Sequence, residues 1–175
     1  QPFGGWKRSS VGCGPKAGGS FYVEAFGTWA TGSRPSAAEM GAVEERFRLV
    51  WRDHFSAEHD PSGLACERNV LRYRPLPSVN LYVAPDADPA DVEIARMAAR
   101  VAGVPAPLVA APATGPADRV RVIGSITEAE LVACHAAGVE VDLVQPVAEP
   151  MVELRRWVRE QSISTTRHRH GRLLD

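Results

Sequence analysis

A chain of 175 residues with 45% hydrophobic and 23% charged side chains has the make-up of a folded domain, alone or with a neighbouring piece attached, and not that of a disordered chain. With 20 basic against 21 acidic residues the formal net charge is −1, so no global field steers it toward nucleic acid or anionic lipid. No apolar run approaches the roughly 20 residues that span a bilayer, and Cys13, Cys66 and Cys134 form neither a C-x-x-C pair nor a zinc pattern.

The first 35 residues stand apart. They hold more than half of the chain's 15 glycines and show no helical period, so they cannot bury a regular apolar face of their own. The segment is expected to be extended, with Phe3, Trp6, Phe21, Tyr22, Phe26 and Trp29 seeking a partner surface. Within it only Ser20–Phe26 reads as a strand. A chain that starts at Gln1 is expected to be a piece of something longer.

Ser36 and Glu39 then form an S-x-x-E capping box, the signature of a helix start. Met40, Val43, Phe47, Val50, Trp51, His54 and Phe55 follow at steps of three and four, one apolar stripe along a long helix. His54 lies on that stripe and is expected to pack, half-buried, rather than to bind a ligand. Cys134, in an apolar helical run, is likewise expected to be buried packing.

From about residue 66 strands alternate with helices. Val70–Arg74, Val79–Ala84, Pro107–Ala111, Arg119–Ile123 and Val139–Val144 are the predicted strands. One helix starts at Asp88-Pro89, where the aspartate caps and proline fills the first helical position, buries Ile94, Met97, Ala98 and Val101, and stops at Gly103. A second starts at a Thr127/Glu130 capping box and stops at Gly138. A last helix is expected from Pro150 to Gln161, with Arg155, Arg156 and Arg159 on a solvated face near its C-terminal end. The pattern predicts an open, Rossmann-like α/β domain over residues 66–165, a mostly parallel sheet with flanking helices, preceded by the glycine-rich extended segment and one long helix.

A dinucleotide would need a glycine-rich turn after the first strand, where backbone approaches the pyrophosphate. The turn here is Ala84-Pro85-Asp86-Ala87-Asp88-Pro89, with no glycine and two aspartates. Ile123-Gly124-Ser125 has a single glycine. The fold reads as a nucleotide-binding one that has lost its site, and this chain is expected to bind no cofactor. Arg167-His168-Arg169-His170 is a poor metal site, since its arginines repel cations, and no metal is expected.

Gln1-Pro2-Phe3-Gly4-Gly5-Trp6-Lys7-Arg8-Ser9, followed by Gly14-Pro15-Lys16-Ala17-Gly18-Gly19, resembles the end of the catalytic domain in L-glutamate γ-semialdehyde dehydrogenases of the aldehyde dehydrogenase superfamily. Ser62–Pro75 and Arg159–Gly171 are similar to segments of long proline utilization A proteins, which carry an added domain related to the aldehyde dehydrogenase Rossmann domain. His170 stands where that family more often has tyrosine, and Cys13 where a small residue is usual.

The resemblance implies residues 1–35 as the remnant of a catalytic domain, 36–60 as a linking helix, and 61–175 as a non-catalytic Rossmann-like domain. It implies a cytoplasmic parent enzyme that uses NAD to oxidise the semialdehyde in proline catabolism, through a cysteine nucleophile. No such nucleophile segment is present here, so no catalytic residue is expected in this chain. Phe3 is implied as the residue beside the aldehyde's aliphatic chain. The tail from Ser162 to Gly171 is expected to dock on the catalytic domain of the same polypeptide or oligomer. Ser162, Ser164 and Thr165 would add along a strand edge, and Arg167 and Arg169 would anchor on carboxylates. An independent small Rossmann-type nucleotide-binding protein is the alternative.

Overall fold

The computed structural model describes residues 21–27, 33–60, 62–169 and 172–173. The elements in chain order are a 3-10 turn Val23–Phe26, α1 (Met40–Val50), a π-helical turn Trp51–Phe55, β1 (Glu58–His59), β2 (Glu67–Pro75), β3 (Asn80–Val83), α2 (Pro89–Ala102), β4 (Arg119–Ile123), α3 (Glu128–Ala137), β5 (Glu140–Asp142), α4 (Pro150–Leu154), a 3-10 turn Arg155–Trp157, β6 (Val158–Thr166), β7 (His168–Arg169) and β8 (Arg172–Leu173). The chain forms two compact units. Among the described residues, one holds 33–51 and 75–157, and the other holds 21–27, 52–60, 62–74, 158–169 and 172–173.

The larger unit is the α/β part. Its parallel sheet runs in the order β3-β4-β5, with Tyr82 opposite Val122 and Arg121 opposite Asp142. Leu81 also makes a single parallel bridge to Leu108, so the predicted strand at Pro107–Ala111 shrinks to one contact. The flanking helices obey their local signals. Asp88 accepts the Ala90 N–H at 2.8 Å, Pro89 opens α2, and Gly103 closes it at φ 68°. Thr127 and Glu130 satisfy each other's backbone N–H at the start of α3, and Gly138 ends it at φ 71°. Ile94, Met97 and Ala98 are buried as expected, while Val101 is only half-buried. Val120, Val122 and Cys134 are fully buried, with Tyr82, Val109, Ile126 and Val141 packed around them. Cys134 is therefore a core side chain.

A second buried anchor is polar. Asn80, 0% exposed, donates to the carbonyls of Thr114 and Ala117 at 3.1 Å each and accepts the Ala117 N–H, pinning the loop that leads into β4. Gly115 has φ 105°, and a Cβ there would lie 2.7 Å from both Asn80 Oδ1 and Val109 Cγ1. Gly115→Ala is therefore expected to destabilise the chain by about 1–3 kcal/mol, through overpacking and a backbone angle that L side chains avoid. Urea melts of the two proteins measure this, and equal midpoints would show that the loop yields freely.

The start of α1 differs from the expected capping box. Glu39 accepts the Ser36 N–H at 2.7 Å, but the Ser36 hydroxyl also turns to that carboxylate, and residues 37–39 form a turn before the helix begins at Met40. Val43 and Phe47 are buried within this unit.

In the smaller unit a three-stranded sheet runs β1-β2-β6. Glu58 lies opposite Arg72 in the antiparallel β1–β2 pair. Tyr22–Phe26 is not the predicted strand. It contains a 3-10 turn, and Phe21 just before it is 4% exposed, stacked on Phe55 at 6.2 Å and tilted against Tyr73 at 5.9 Å. Burial of one ring outweighs the strand propensity of so short a run. Phe26 is 70% exposed and Tyr22 half-buried, whereas Phe3, Trp6 and Trp29 lie outside the described residues.

His54 belongs to the same aromatic cluster. Its ring lies 5.2 Å from Tyr73 and 4.6 Å from His59, and its Nε2 is 3.3 Å from the Tyr73 hydroxyl. It is half-buried, as a packing histidine should be. Burial, with His59 beside it, pushes the His54 imidazole below its usual range, so the neutral ring is the form the fold favours. The unfolded chain then binds the proton more readily, and this contribution to stability is present above a pH of about 6.5 and lost as pH falls from there. Thermal melts are expected to show that decline, and His54→Gln to flatten it. An unchanged slope in the variant would assign the decline to other groups.

Candidate functional site

Three places carry the polar chemistry. The first is the terminal strand. The last helix ends at Leu154 and its 3-10 extension at Trp157, well short of Gln161. Trp157 gives its carbonyl to the Leu76 N–H at 2.9 Å, and from Val158 the chain pairs with β2 instead of continuing to coil. Arg72 Nε donates to Gln161 Oε1 at 2.7 Å, Ser164 Oγ to Asn69 Oδ1 at 2.6 Å, and Arg167 N to Cys66 O at 2.8 Å. One strand's numbers rise as the other's fall, which is antiparallel pairing. The expected helix from Pro150 to Gln161 is thereby overturned from Val158 onward, because pairing with β2 draws that stretch into a strand. Arg159 correspondingly sits in β6, not on a helix.

The strand brings Ser162, Ser164 and Thr165 together, Ser162 and Ser164 sharing one face and Thr165 lying on the other. Ser164, Thr165 and Arg167 are exposed, and the Ser162 hydroxyl is enclosed without a hydrogen-bond partner among the described residues. In the sheet order β6 pairs only with β2, so among the described residues its other edge is open. Arg169 pairs through its backbone with Arg172 in the β7–β8 ribbon. Phe3, Cys13, His170 and Gly171 lie outside the described residues.

The second place is a buried charged node in the larger unit, which the sequence reading did not single out. All five residues of β4 are buried, Arg119 and Arg121 included. Arg121 is 1% exposed and reaches Asp142 at 3.2 Å and Glu153 at 2.8 Å, with Trp157 below it at 5.8 Å. Glu153 also accepts the Trp157 indole N–H at 3.1 Å and the Val147 N–H at 3.2 Å. Burial pushes the Glu153 carboxyl up, against the pull of Arg121. Arg155 and Arg156 are not on a solvated face but 7% and 8% exposed, and Arg156 reaches Asp142 at 3.5 Å. The 3-10 turn Arg155–Trp157 is packed in, so both cations are drawn out of solvent, and Asp142 holds Arg156. A signal was present in the sequence: R-x-R and E-x-D stand opposite each other in register, Arg119 with Glu140 and Arg121 with Asp142.

The third place is the C-terminal end of the parallel strands, where open α/β sheets bind ligands. There Asp86 Oδ1 accepts the Ser125 N–H at 3.0 Å, and Gln145 accepts the Gly124 N–H at 2.9 Å. Ser125 lowers the Asp86 carboxyl below its usual range through its backbone N–H and its hydroxyl. Arg34 pairs with Asp91 at 2.8 Å and with Asp88 at 3.3 Å, beside the start of α2. Among the described residues no group of three or more His, Cys, Asp or Glu side chains could hold a metal ion, and no helix is long and apolar enough to cross a membrane.

The larger unit is thus a mixed, Rossmann-like α/β domain: a parallel β3-β4-β5 sheet with flanking helices, its ligand end occupied by its own side chains. The chain is similar to the solved structure of proline utilization A (PutA) from Corynebacterium freiburgense, with a TM-score of 0.78 and 34% identity over 99% of this chain. This likeness supports a PutA-related domain. The chain spans 19% of that protein's length. No family model matches it, and no curated protein matches its sequence.

Proposed function

We propose that this chain is the C-terminal, non-catalytic portion of a cytoplasmic, NAD-dependent L-glutamate γ-semialdehyde dehydrogenase that acts in proline catabolism. The observation that carries this reading is the likeness to PutA along 99% of the chain, which accounts for only 19% of that larger protein. Residues 1–35 belong to the catalytic aldehyde dehydrogenase domain, with Phe3 beside the substrate. Residues 36–60 link, and 61–175 form the added domain. The nucleophile and the NAD site lie in the rest of the parent, and this chain holds neither.

The tail is the working part. Ser162, Ser164 and Thr165 lie on an edge strand, so a strand of the catalytic domain can add along β6 by main-chain hydrogen bonds, with Arg167 and Arg169 anchoring on carboxylates. The Asp86 carboxylate at the ligand end of the sheet supports the view that NAD is bound elsewhere. Calorimetric titration of the chain with NAD is expected to give no saturable heat, and the chain to oxidise no aldehyde. A Kd on the order of 1 μM would overturn the non-catalytic reading and restore the independent nucleotide-binding protein.

A further inference from the structure

The contacts between β2 and β6 share one register. Leu76 N–H bonds to the Trp157 carbonyl at one end, and Arg167 N–H to the Cys66 carbonyl at the other. Between them Arg72 meets Gln161 and Asn69 meets Ser164 through side chains. Each step down one strand is matched by an equal step up the other, so the ladder holds no bulge. A strand residue points its N–H and carbonyl to one side, and the next residue points them to the other. Trp157 and Arg167 turn theirs toward β2, and so do the odd-numbered residues between them. Ser162, Ser164 and Thr166 therefore turn theirs to the open edge. Side chains approach most closely in the pairs that the backbone bonds skip. Asn69 and Ser164 are such a pair, with 2.6 Å between Asn69 Oδ1 and Ser164 Oγ.

Asn69 is held so that it fixes this place. It is 3% exposed, and its amide nitrogen donates to Ser62 Oγ at 2.9 Å and to Glu67 Oε2 at 3.0 Å. Both donors are engaged, so the amide has one orientation and its oxygen faces β6. Behind it, Asp60 Oδ1 accepts the Ser62 hydroxyl and the N–H groups of Ser62 and Gly63, and Asp60 Oδ2 accepts the Asn69 N–H at 3.3 Å. The loop before β2 thus presents one acceptor, against which β6 must set a hydroxyl. A one-residue slip that pairs Arg72 with Glu160 would set Ile163 there, with no donor to give. The same slip would turn the main-chain groups of Ser162 and Ser164 away from the open edge.

We propose that Asn69 is a positioning residue, which reads the Ser164 hydroxyl and holds β6 in the register that presents the main-chain groups of Ser162, Ser164 and Thr166 to a strand of the catalytic domain. This rests on the docking role proposed above and narrows it. The backbone of Thr165 faces β2, so Thr165 contributes to docking through its side chain alone.

Amide hydrogen exchange of the 175-residue chain tests the register. The Gln161, Ile163 and Thr165 amides are expected to be protected, and the Ser162, Ser164 and Thr166 amides to exchange freely. Ser164→Ala, which takes one atom from an exposed residue, is expected to erase that alternation, protection of the odd-numbered amides falling about tenfold. Asn69→Ala is expected to do the same, and Ser164→Thr, which keeps the hydroxyl, to retain the native pattern. Absence of the alternation in the native chain would overturn the proposal, and so would its persistence in Ser164→Ala, whether or not Asn69→Ala folds. In the full-length parent, Ser164→Ala is expected to lower kcat/KM for the semialdehyde several-fold at an unchanged melting temperature, and Ser164→Thr to behave as native. Lost alternation with native kinetics would refute docking and keep the register assignment. Retained alternation with lowered kcat/KM would keep docking and refute the role of Asn69.

Discussion

Arg121→Met is expected to destabilise the larger unit by about 3–5 kcal/mol, because it strands two buried carboxylates rather than because it removes favourable pairs. Arg121, Asp142 and Glu153 are all 3% exposed or less, and Glu153 already has its carboxyl pushed up by burial with Arg121 as the opposing charge. Without that guanidinium the desolvation is offset only in part, by the Trp157 and Val147 N–H bonds to Glu153 and the Arg156 contact with Asp142. A further change, Arg121→Met with Glu153→Leu, removes one orphan together with the cation and is expected to recover part of the loss. It cannot recover all of it, since the Trp157 indole N–H and the Val147 N–H both depend on Glu153. Urea unfolding of the native chain, both single variants and the double variant gives the coupling directly. A cost below about 1 kcal/mol for Arg121→Met would show that water reaches the node and that it contributes no more than a surface pair.

The elements best legible in the sequence are those fixed by short-range chemistry. Asp88-Pro89 and Gly103 bound α2, and Thr127, Glu130 and Gly138 bound α3, because caps act within one turn of the chain. Arg119–Ile123 is found at its predicted limits. Elements set by distant partners read less well. Val158–Gln161 follows a helical run and looks helical, yet β2 far upstream recruits it as a strand. The parallel sheet covers only residues 80–142, and β2 belongs to a different, antiparallel sheet, a division that alternation of strand and helix does not reveal. Phe21 looked like a ring in need of an outside partner, but Phe55 and Tyr73 take it in.

The candidate sites divide in the same way. The missing glycine turn is plain in the sequence, and so are the two aspartates that replace it. That one of them bonds to Ser125 across to the next loop depends on how β3 and β4 are brought side by side. The charged node was hidden because Arg119 and Arg121 alternate with valines, as on a strand with one wet face. Sheet order makes β4 central, and both of its faces are buried. Ser162, Ser164 and Thr165 were legible as hydrogen-bonding residues, but their place on an edge strand was not.

The measurement that bears most directly on the tail is the steady-state kinetics of the full-length parent enzyme with β6 altered. Deletion after Gln161 is expected to lower semialdehyde-dependent NAD reduction by about tenfold or more, the order of loss that a displaced closing segment produces, while any proline oxidation step stays intact. Because that deletion also takes a partner from β2, a second variant is needed that spares the sheet. Thr165→Glu with Arg167→Glu changes two exposed residues, reverses the proposed anchoring charge and leaves the β2 pairing in place. It is expected to reproduce most of the kinetic loss with an unchanged melting temperature. Native semialdehyde kinetics in both proteins, with native stability, would contradict docking and leave β6 as the edge of its own sheet and nothing more.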